Sequence, residues 1–184
     1  MLFYLFSEKE IISIFEILGY EFSQEEINKN IQYYRKRTSH GSTLSRLVFS
    51  WILSKYDKEE SWNNFQQLLI SDFKDIQGGT TPEGIHLGAM AGSLDLIQRN
   101  FAGLEVGDDA LWIKPNLPKN ISKISMRIKY RNHWIFFSVN HSKLKISFEE
   151  GWSNKVNIGV IDEIYEFKHG EVREFSLLAD TNFE

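Results

Sequence analysis

Apolar residues recur every three or four positions through the first half of the chain, which is the spacing of amphipathic helices. Ser7 and Glu10 form a capping-box pattern before the first segment, and Ser23 and Ser42 are N-cap residues for later ones. Short turns between the segments predict antiparallel helical hairpins. The predicted apolar faces are Ile11, Ile14, Phe15 and Leu18; Ile27, Ile31 and Tyr34; Leu44, Leu47, Val48, Trp51 and Ile52; and Trp62, Phe65, Leu68, Leu69 and Phe73.

A further helix is predicted after the glycines at 78 and 79, with Thr81 as N-cap, Pro82 as first residue and Glu83 as first-turn acid. Because glycine weakens a helix, the small residues along it indicate either close helix packing or room for a ligand. His86 is then either a first-turn histidine satisfied by backbone groups or a ligand-binding residue. The apolar positions are Leu87, Met90, Ala91, Leu94 and Ile97, and the small residues are Gly84, Gly88, Ala89 and Gly92.

The helical period ends near Gly103, and apolar residues then alternate with polar ones, which predicts strands. In residues 124–130 the alternation gives one buried and one solvated face. Further strands are predicted over 134–139, 144–148, 156–160 and 172–178, with His133 and His141 exposed in the turns. The predicted fold class is α+β, with a helical segment over residues 1–104 and a small antiparallel β-sheet or sandwich over residues 105–184.

The amino-acid composition and net charge limit the kinds of function that the chain can have. The 184 residues are 42% hydrophobic, 25% charged and 14% aromatic, which suits a globular chain with either a heavy core or a carbohydrate site. The formal net charge of -4 argues against a nucleic-acid surface, because such a surface needs clustered cations. The lysines and arginines of residues 119–131 instead fit the solvated face of a strand.

The chain has no cysteine, which excludes disulfides, thiol nucleophiles and thiolate metal sites and agrees with a cytoplasmic location. The opening MLFYLF is too short for a membrane span and lacks the basic start of a signal peptide. Its apolar, uncapped character suggests that the chain begins inside a larger fold.

Two predicted helix starts, at Ser42 and Glu83, are candidate anion sites. Backbone N–H groups and the helix dipole favour a negative group there, and hydroxyls or imidazoles add donors. Ordinary capping is the alternative explanation, and Glu83 would repel an anion unless it turns away. The candidate phosphate ligands are Ser39, His40, Ser42, Thr43 and His86.

Other chemistries find less support in the sequence. The five histidines do not pair with carboxylates at metal-ligand spacing, so we predict no metal and no cofactor. Nucleophile-elbow, Walker and dinucleotide motifs do not occur. Glu83 with Asp72 or Asp75 would be only a loose carboxylate pair for glycoside chemistry.

Three stretches resemble the closing segments of glycoside hydrolase family 65, which includes maltose, trehalose and kojibiose phosphorylases and some hydrolases. The resemblance covers about three quarters of the chain, and the predicted helix order agrees with it. The stretches are YYRKRTSHGSTLSR at 33–46, DIQGGTTPEGIHLGAMAGSLDLIQRNFAGL at 75–104 and LWIKPNLPKNISKISMRIKYRNHWIFFSV at 111–139.

This resemblance implies a partial α/α-barrel, of six-hairpin glycosidase type, followed by a C-terminal β domain. It implies inverting cleavage of an α-glucosidic bond, with inorganic phosphate as co-substrate and a glutamate as general acid. Ser42, Thr43 and His86 would contact the phosphate. The residues implied to shape the pocket are His40, Gly41, Glu83 and Gly84.

The chain departs from the family pattern in two ways. Many family phosphorylases carry an acidic residue and paired serines in the first loop, where this chain has Gly41, Ser42 and Thr43. The choice between phosphate and water as nucleophile therefore stays open. The general acid of the family belongs to a segment upstream of Met1, so we predict that the chain alone has no catalytic residue and does not cleave a disaccharide.

The favoured hypothesis is the C-terminal part of a family 65 enzyme, whose partners are a disaccharide and phosphate. An upstream complementary fragment or a second copy would complete it, with no nucleic acid or membrane involved. The alternatives are a non-enzymatic carbohydrate- or phosphate-binding module and a structural remnant that self-associates through faces left uncovered. The sequence leaves open which disaccharide is used.

Overall fold

The computed structural model of the chain describes residues 1–76, 82, 84–149 and 155–178. The chain divides into two compact units, Met1–Leu96 and Ile97–Glu184. The first is helical and the second consists mainly of strands, which confirms the predicted α+β class. The boundary predicted after residue 104 lies later in the chain than this division. Of the helices described, none is long and apolar enough to cross a membrane.

The helical unit follows the predicted caps closely at its start. The α-helices described are α1 (Leu2–Leu5), α2 (Glu8–Ile17), α3 (Gln24–Arg35), α4 (Thr43–Leu53), α5 (Lys58–Leu69) and α6 (Leu87–Asp95). Ser7 and Glu10 exchange the two hydrogen bonds of a capping box at α2, and Ser23 and Glu26 do the same at α3. Ser42 caps α4 and Asp57 caps α5 through their side chains.

Helices α4 and α5 form an antiparallel hairpin. The Ser61 hydroxyl of α5 donates to the Ser50 carbonyl of α4 at 2.6 Å, and the Arg46 guanidinium of α4 donates to the Asn64 side chain of α5 at 3.2 Å. These pairings oppose the early part of one helix to the later part of the other. The buried apolar side chains of the unit include Ile11, Ile27, Ile31, Leu47, Leu53, Phe65, Leu68, Ala89 and Leu96.

Helix α6 begins at Leu87 with His86 as its N-cap, so the predicted start at Pro82 is wrong. The cause is local, because Gly84 has a φ of 109°, which lies outside the right-handed helical region. The expected N-cap Thr81 and first-turn acid Glu83 lie outside the described residues.

The apolar face expected for α6 is also wrong at its two leucines. Leu87 and Leu94 are 75% and 68% exposed, whereas Ala89 and Gly92 are buried. Small residues are thus the ones that α6 buries, although Gly88 and the expected apolar residue Ala91 are exposed. A similar error concerns Phe73, which was expected on the apolar face of α5 but follows the end of that helix and is 85% exposed.

A π-helical segment over Leu96–Phe101 leads into the strands of the second unit. The strands are β1 (Leu104–Val106), β2 (Leu111–Ile113), β3 (Lys123–Tyr130), β4 (His133–Asn140), β5 (Lys143–Phe148), β6 (Lys155–Val160), β7 (Glu163–Lys168) and β8 (Val172–Ser176). Within the described residues they form two four-stranded sheets, one with the strand order β1-β2-β6-β7 and the other β3-β4-β5-β8.

Most strand pairs are antiparallel, as predicted, but β2 and β6 pair in parallel. The alternation of residues 133–140 places Ile135, Phe137 and Val139 in the core. Between the two sheets the rings of Phe148 and Phe167 stack with centroids 5.1 Å apart. The sequence pattern missed β1, β2 and β7, which are short or mostly exposed.

His133 was predicted to be exposed, and this is wrong. It is 1% exposed at the first position of β4, with its ring 5.8 Å from the Phe148 ring centroid. The turn before it consists of Arg131 and Asn132, both with positive φ, so the strand begins one residue earlier than expected. His141 is exposed, as predicted.

Candidate functional site

The two helix starts that were candidate anion sites lie side by side. A methyl group placed on Gly88 would fall 3.3 Å from Leu44, and one placed on Gly92 would overlap Leu47. Because these contacts follow the same order along both helices, α4 and α6 run in the same direction. Their N-termini, and the positive ends of their dipoles, therefore lie at the same end of the helix pair.

The first helix start carries Ser42 and Thr43. The Ser42 hydroxyl accepts a hydrogen bond from the Leu44 N–H at 3.3 Å, which is the capping contact. Gly41 and Ser42 are exposed to solvent, whereas Thr43 is buried as the first residue of α4. A ligand at this point would meet the Ser42 side chain and the main chain of Gly41 and Thr43.

His40 lies two residues before the N-cap Ser42, in the same loop. Its φ of 53° is unusual for a non-glycine residue, and its Nδ1 lies 2.9 Å from the Ser45 hydroxyl. The Ser45 hydroxyl donates to the Ser42 carbonyl at 2.6 Å, so His40 Nδ1 carries the proton of its own contact. Burial lowers the pKa of His40, and the positive charge of Arg46 adds to this effect. The His40 side chain is therefore neutral at pH 7, and its contact with Ser45 holds the ring in one orientation.

The second helix start carries Gly84 and His86. Gly84 is exposed, and a methyl group on it would meet nothing within 4 Å. His86 is the N-cap of α6 but makes no side-chain capping bond, and the Leu87 N–H donates to the Ile85 carbonyl at 3.0 Å. Glu83, the remaining pocket residue predicted from the sequence, lies outside the described residues.

The His86 side chain pairs with a carboxylate. Its Nδ1 lies 2.6 Å from Asp72 Oδ1, and the His86 backbone N–H donates to the same oxygen at 3.1 Å. These hydrogen bonds lower the pKa of Asp72, the ring contact being the larger cause, so the carboxyl is ionised at neutral pH. From the sequence, Asp72 was only a loose partner for Glu83, and its contact with His86 was not predicted.

These features suit an anion more than a metal. The two helix starts supply N–H donors and Ser42 a hydroxyl, which are groups that bind oxyanions. Within the described ranges, no three His, Asp or Glu side chains cluster as a metal site would require. A shallow groove along α3, between Glu25 and Arg37, includes none of the predicted site residues.

Two segments of the chain match two domains of one protein family. Residues 1–95 match the glycosyl hydrolase family 65 central catalytic domain. Residues 104–167 match the C-terminal domain of the same family. Both candidate helix starts therefore fall within the part that matches the catalytic domain.

Individual relatives agree with this result. An uncharacterized glycosyl hydrolase of Mycobacterium tuberculosis is 37% identical over 95% of this chain and 13% of its own length. Trehalose 6-phosphate phosphorylase of Lactococcus lactis is 33% identical over 96% of the chain and 23% of its own length. The chain thus spans less than a quarter of these relatives.

A solved structure shows the same fold. It is a protein from the human microbiome described as a kojibiose phosphorylase, with a TM-score of 0.70 and 28% sequence identity. The match covers 90% of this chain and 22% of that one.

Proposed function

Because this chain belongs to glycosyl hydrolase family 65, we propose that its helical unit forms the phosphate side of an active site for inverting phosphorolysis of α-glucosides. Ser42, Thr43 and His86 are the proposed phosphate contacts. Residues His40, Gly41, Glu83 and Gly84 are proposed to shape the pocket around it.

The observation that supports this proposal most strongly is the parallel pairing of α4 and α6. Gly88 and Gly92 allow the two helices to approach closely, and the approach brings the N-cap residues Ser42 and His86 to one end. Two aligned helix dipoles reinforce each other at that end, where a phosphate carrying one or two negative charges would be stabilised.

Each proposed residue has a distinct task in the reaction. Ser42 would donate its hydroxyl proton to a phosphate oxygen. Thr43, whose side chain is buried, would contribute its main-chain N–H, and His86 would offer its Nε2 side. Held in this way, a phosphate oxygen would attack the anomeric carbon while the bond to the leaving sugar oxygen breaks and a general acid protonates that oxygen.

None of the proposed residues is the general acid, and we propose that a glutamate outside this chain supplies it in the complete enzyme. The relatives named as trehalose, maltose and kojibiose phosphorylases support an α-glucosidic disaccharide as substrate. The cysteine-free composition supports a cytoplasmic location.

Phosphate titration of the chain tests the proposal. Amide signals of residues 40–45 and 84–89 should shift saturably with millimolar phosphate in nuclear magnetic resonance spectra, but not with chloride at equal ionic strength. The His86→Ala variant should respond more weakly. Uniform or absent shifts in the unmodified chain would contradict the phosphate site.

A turnover assay tests the second part of the proposal. Incubating the chain with maltose, trehalose or kojibiose and phosphate should release neither glucose nor glucose 1-phosphate. Product formation would show that the chain contains its own acid. Saturable binding of a disaccharide without phosphate dependence would instead favour the carbohydrate-binding module.

Self-association is a second candidate function, favoured by the exposed apolar residues of the helical unit. Ile17, Leu87 and Leu94 all expose most of their side chains, which is unfavourable in water unless another surface covers them. Sedimentation equilibrium should then show dimers or larger species that Leu87→Ser and Leu94→Ser weaken. A strict monomer at high concentration would exclude this candidate.

A further inference from the structure

Asp72 receives two kinds of hydrogen bond from a single residue. Its Oδ1 accepts from the His86 backbone N–H at 3.1 Å and lies 2.6 Å from the ring Nδ1, while Oδ2 lies 3.3 Å from the same N–H. Both side chains are largely covered, with 12% of Asp72 and 22% of His86 exposed. One carboxylate therefore fixes both the main chain and the ring of the N-cap residue of α6.

This arrangement decides which ring nitrogen carries the proton. An ionised carboxylate can only accept hydrogen bonds, so the 2.6 Å contact requires a proton on His86 Nδ1. In the neutral ring, Nε2 then holds the lone pair and can accept a proton from a phosphate hydroxyl. In the protonated ring, Nε2–H donates to a phosphate oxygen while Nδ1–H still donates to Asp72.

We propose that Asp72 is a positioning residue for anion binding, which sets the tautomer and orientation of His86 so that Nε2 is the atom that meets phosphate. This inference rests on the proposed function, because it assigns a supporting residue to the same site. Asp72 itself would not touch the anion.

The Asp72 carboxylate is negatively charged, but its position behind the His86 ring keeps it away from the proposed phosphate. The imidazole lies between Asp72 and any ligand of Nε2, because the two ring nitrogens face different directions. A carboxylate in direct contact with phosphate would repel it, whereas one bound to Nδ1 holds the ring in place without touching the anion. The same residue also holds the loop end at the start of α6 through the His86 N–H.

The tautomer can be measured directly in the full chain. Nitrogen-15 spectra of the histidine rings, with His86 assigned by the loss of its signals in His86→Gln, distinguish a protonated Nδ1 from a protonated Nε2. At a pH where the ring is neutral, His86 should be protonated on Nδ1. Protonation on Nε2 in the unmodified chain would overturn the proposal without any variant.

Two variants separate hydrogen bonding from charge. Asp72→Ala removes the acceptor, so the Nδ1-protonated form should lose its dominance and the Kd for inorganic phosphate should rise about tenfold. Asp72→Asn keeps an oxygen acceptor and should retain the tautomer. Asp162→Ala is the control, because that side chain lies in the β unit and is 87% exposed, and it should change neither readout.

The outcomes distinguish this inference from the proposed function. An unchanged tautomer in Asp72→Ala, or a changed tautomer with an unchanged Kd for phosphate, would overturn the positioning role while phosphate binding stands. If phosphate shifts no signal of the unmodified chain, the proposed function is wrong, and the anion role of the pair is wrong with it. Should Asp72→Ala not fold, the unmodified chain and Asp72→Asn still decide the tautomer.

Discussion

Gly92 of α6 lies directly against Leu47 of α4, with no room for a side chain between the two helices. A methyl group on Gly92 would fall 3.0 Å from one methyl carbon of Leu47 and closer still to the other. Leu47 is buried, so it has little freedom to move aside. This contact holds the two helix starts of the candidate site side by side.

Replacing Gly92 by alanine should therefore destabilise the helical unit. We expect a loss of about 1–3 kcal/mol in the free energy of unfolding, the usual range for an overpacked core, despite the better helix propensity of alanine. Urea denaturation followed by circular dichroism measures the change. Gly88→Ala is the control, since its methyl group would lie 3.3 Å from Leu44, whose side chain is partly exposed. A Gly92→Ala variant as stable as Gly88→Ala would show that the helices are not packed this closely.

In the β unit, Gly103 and Gly170 form a matched pair for testing space against backbone strain. Both have a φ of 71°, but a methyl group on Gly103 would lie 2.8 Å from Pro115 N and overlap the Lys114 carbonyl, whereas one on Gly170 would meet nothing. Gly170→Ala should cost about 1 kcal/mol, from the left-handed backbone alone. Gly103→Ala should cost several times more, because the obstacle is backbone. Equal losses in thermal or urea unfolding would refute the close approach.

Asp57 should make the stability of the helical unit sensitive to acid. It caps α5 by accepting from the Glu60 N–H at 3.0 Å and from Arg35 at 2.7 Å, and these contacts lower its pKa, the backbone bond being the largest cause. Because the folded pKa lies below the unfolded one, the stabilisation is present at neutral pH and is lost as the pH falls below about 4.

Two substitutions check the sign of this effect. Asp57→Ala should lower the free energy of unfolding at pH 7 by about 1–2 kcal/mol through loss of the cap. Asp57→Asn can still cap, so it should be less stable than the unmodified chain at neutral pH and equal to it near pH 2. Asp162→Asn is the control, because that side chain is 87% exposed. A difference that grows with acidity would contradict the prediction.

Ser42 offers a way to separate capping from phosphate binding. Aspartate is as good an N-cap as serine, so Ser42→Asp should leave stability unchanged or slightly raised, while its charge should abolish the response to phosphate. Ser42→Ala should lose about 1 kcal/mol of stability. Ser23→Asp makes the same change at the N-cap of α3, and it should not alter the phosphate titration. A Ser42→Asp variant that still binds phosphate would remove Ser42 from the site.

The features predicted correctly from the sequence are those with local causes. The capping boxes at Ser7 and Ser23 join residues three positions apart, so the pattern alone contains both partners. The alternation over 124–130 separates the two faces of its strand, because successive residues of a strand point to opposite sides: Ile124 is buried, whereas Arg127 and Lys129 are exposed. The N-cap at Ser42 was recognised for the same reason, since N-cap chemistry is readable over a few residues. The anion sites at the two helix starts stay predictions.

Tertiary structure decided two kinds of feature: contacts between residues that are distant in sequence, and turns where the backbone departs from regular helix or strand. The start of α6 depends on the φ of Gly84 and on the bonds from His86 to Asp72, neither of which apolar periodicity reveals. The buried residues of α6 are Ala89, Gly92 and Ser93, and the contact of Gly92 with Leu47 of α4 depends on a helix more than thirty residues away in sequence.

The sequence by itself determined where most helices and the long strands lie, the α+β class and the resemblance to family 65. Only the tertiary structure decided that α4 and α6 run side by side in one direction, that β2 joins β6 in parallel and that Asp72 holds His86. The physical reason is that periodicity and capping are properties of a few neighbouring residues. Helix proximity, strand partners and side-chain ion pairs depend on which surfaces the whole chain buries together.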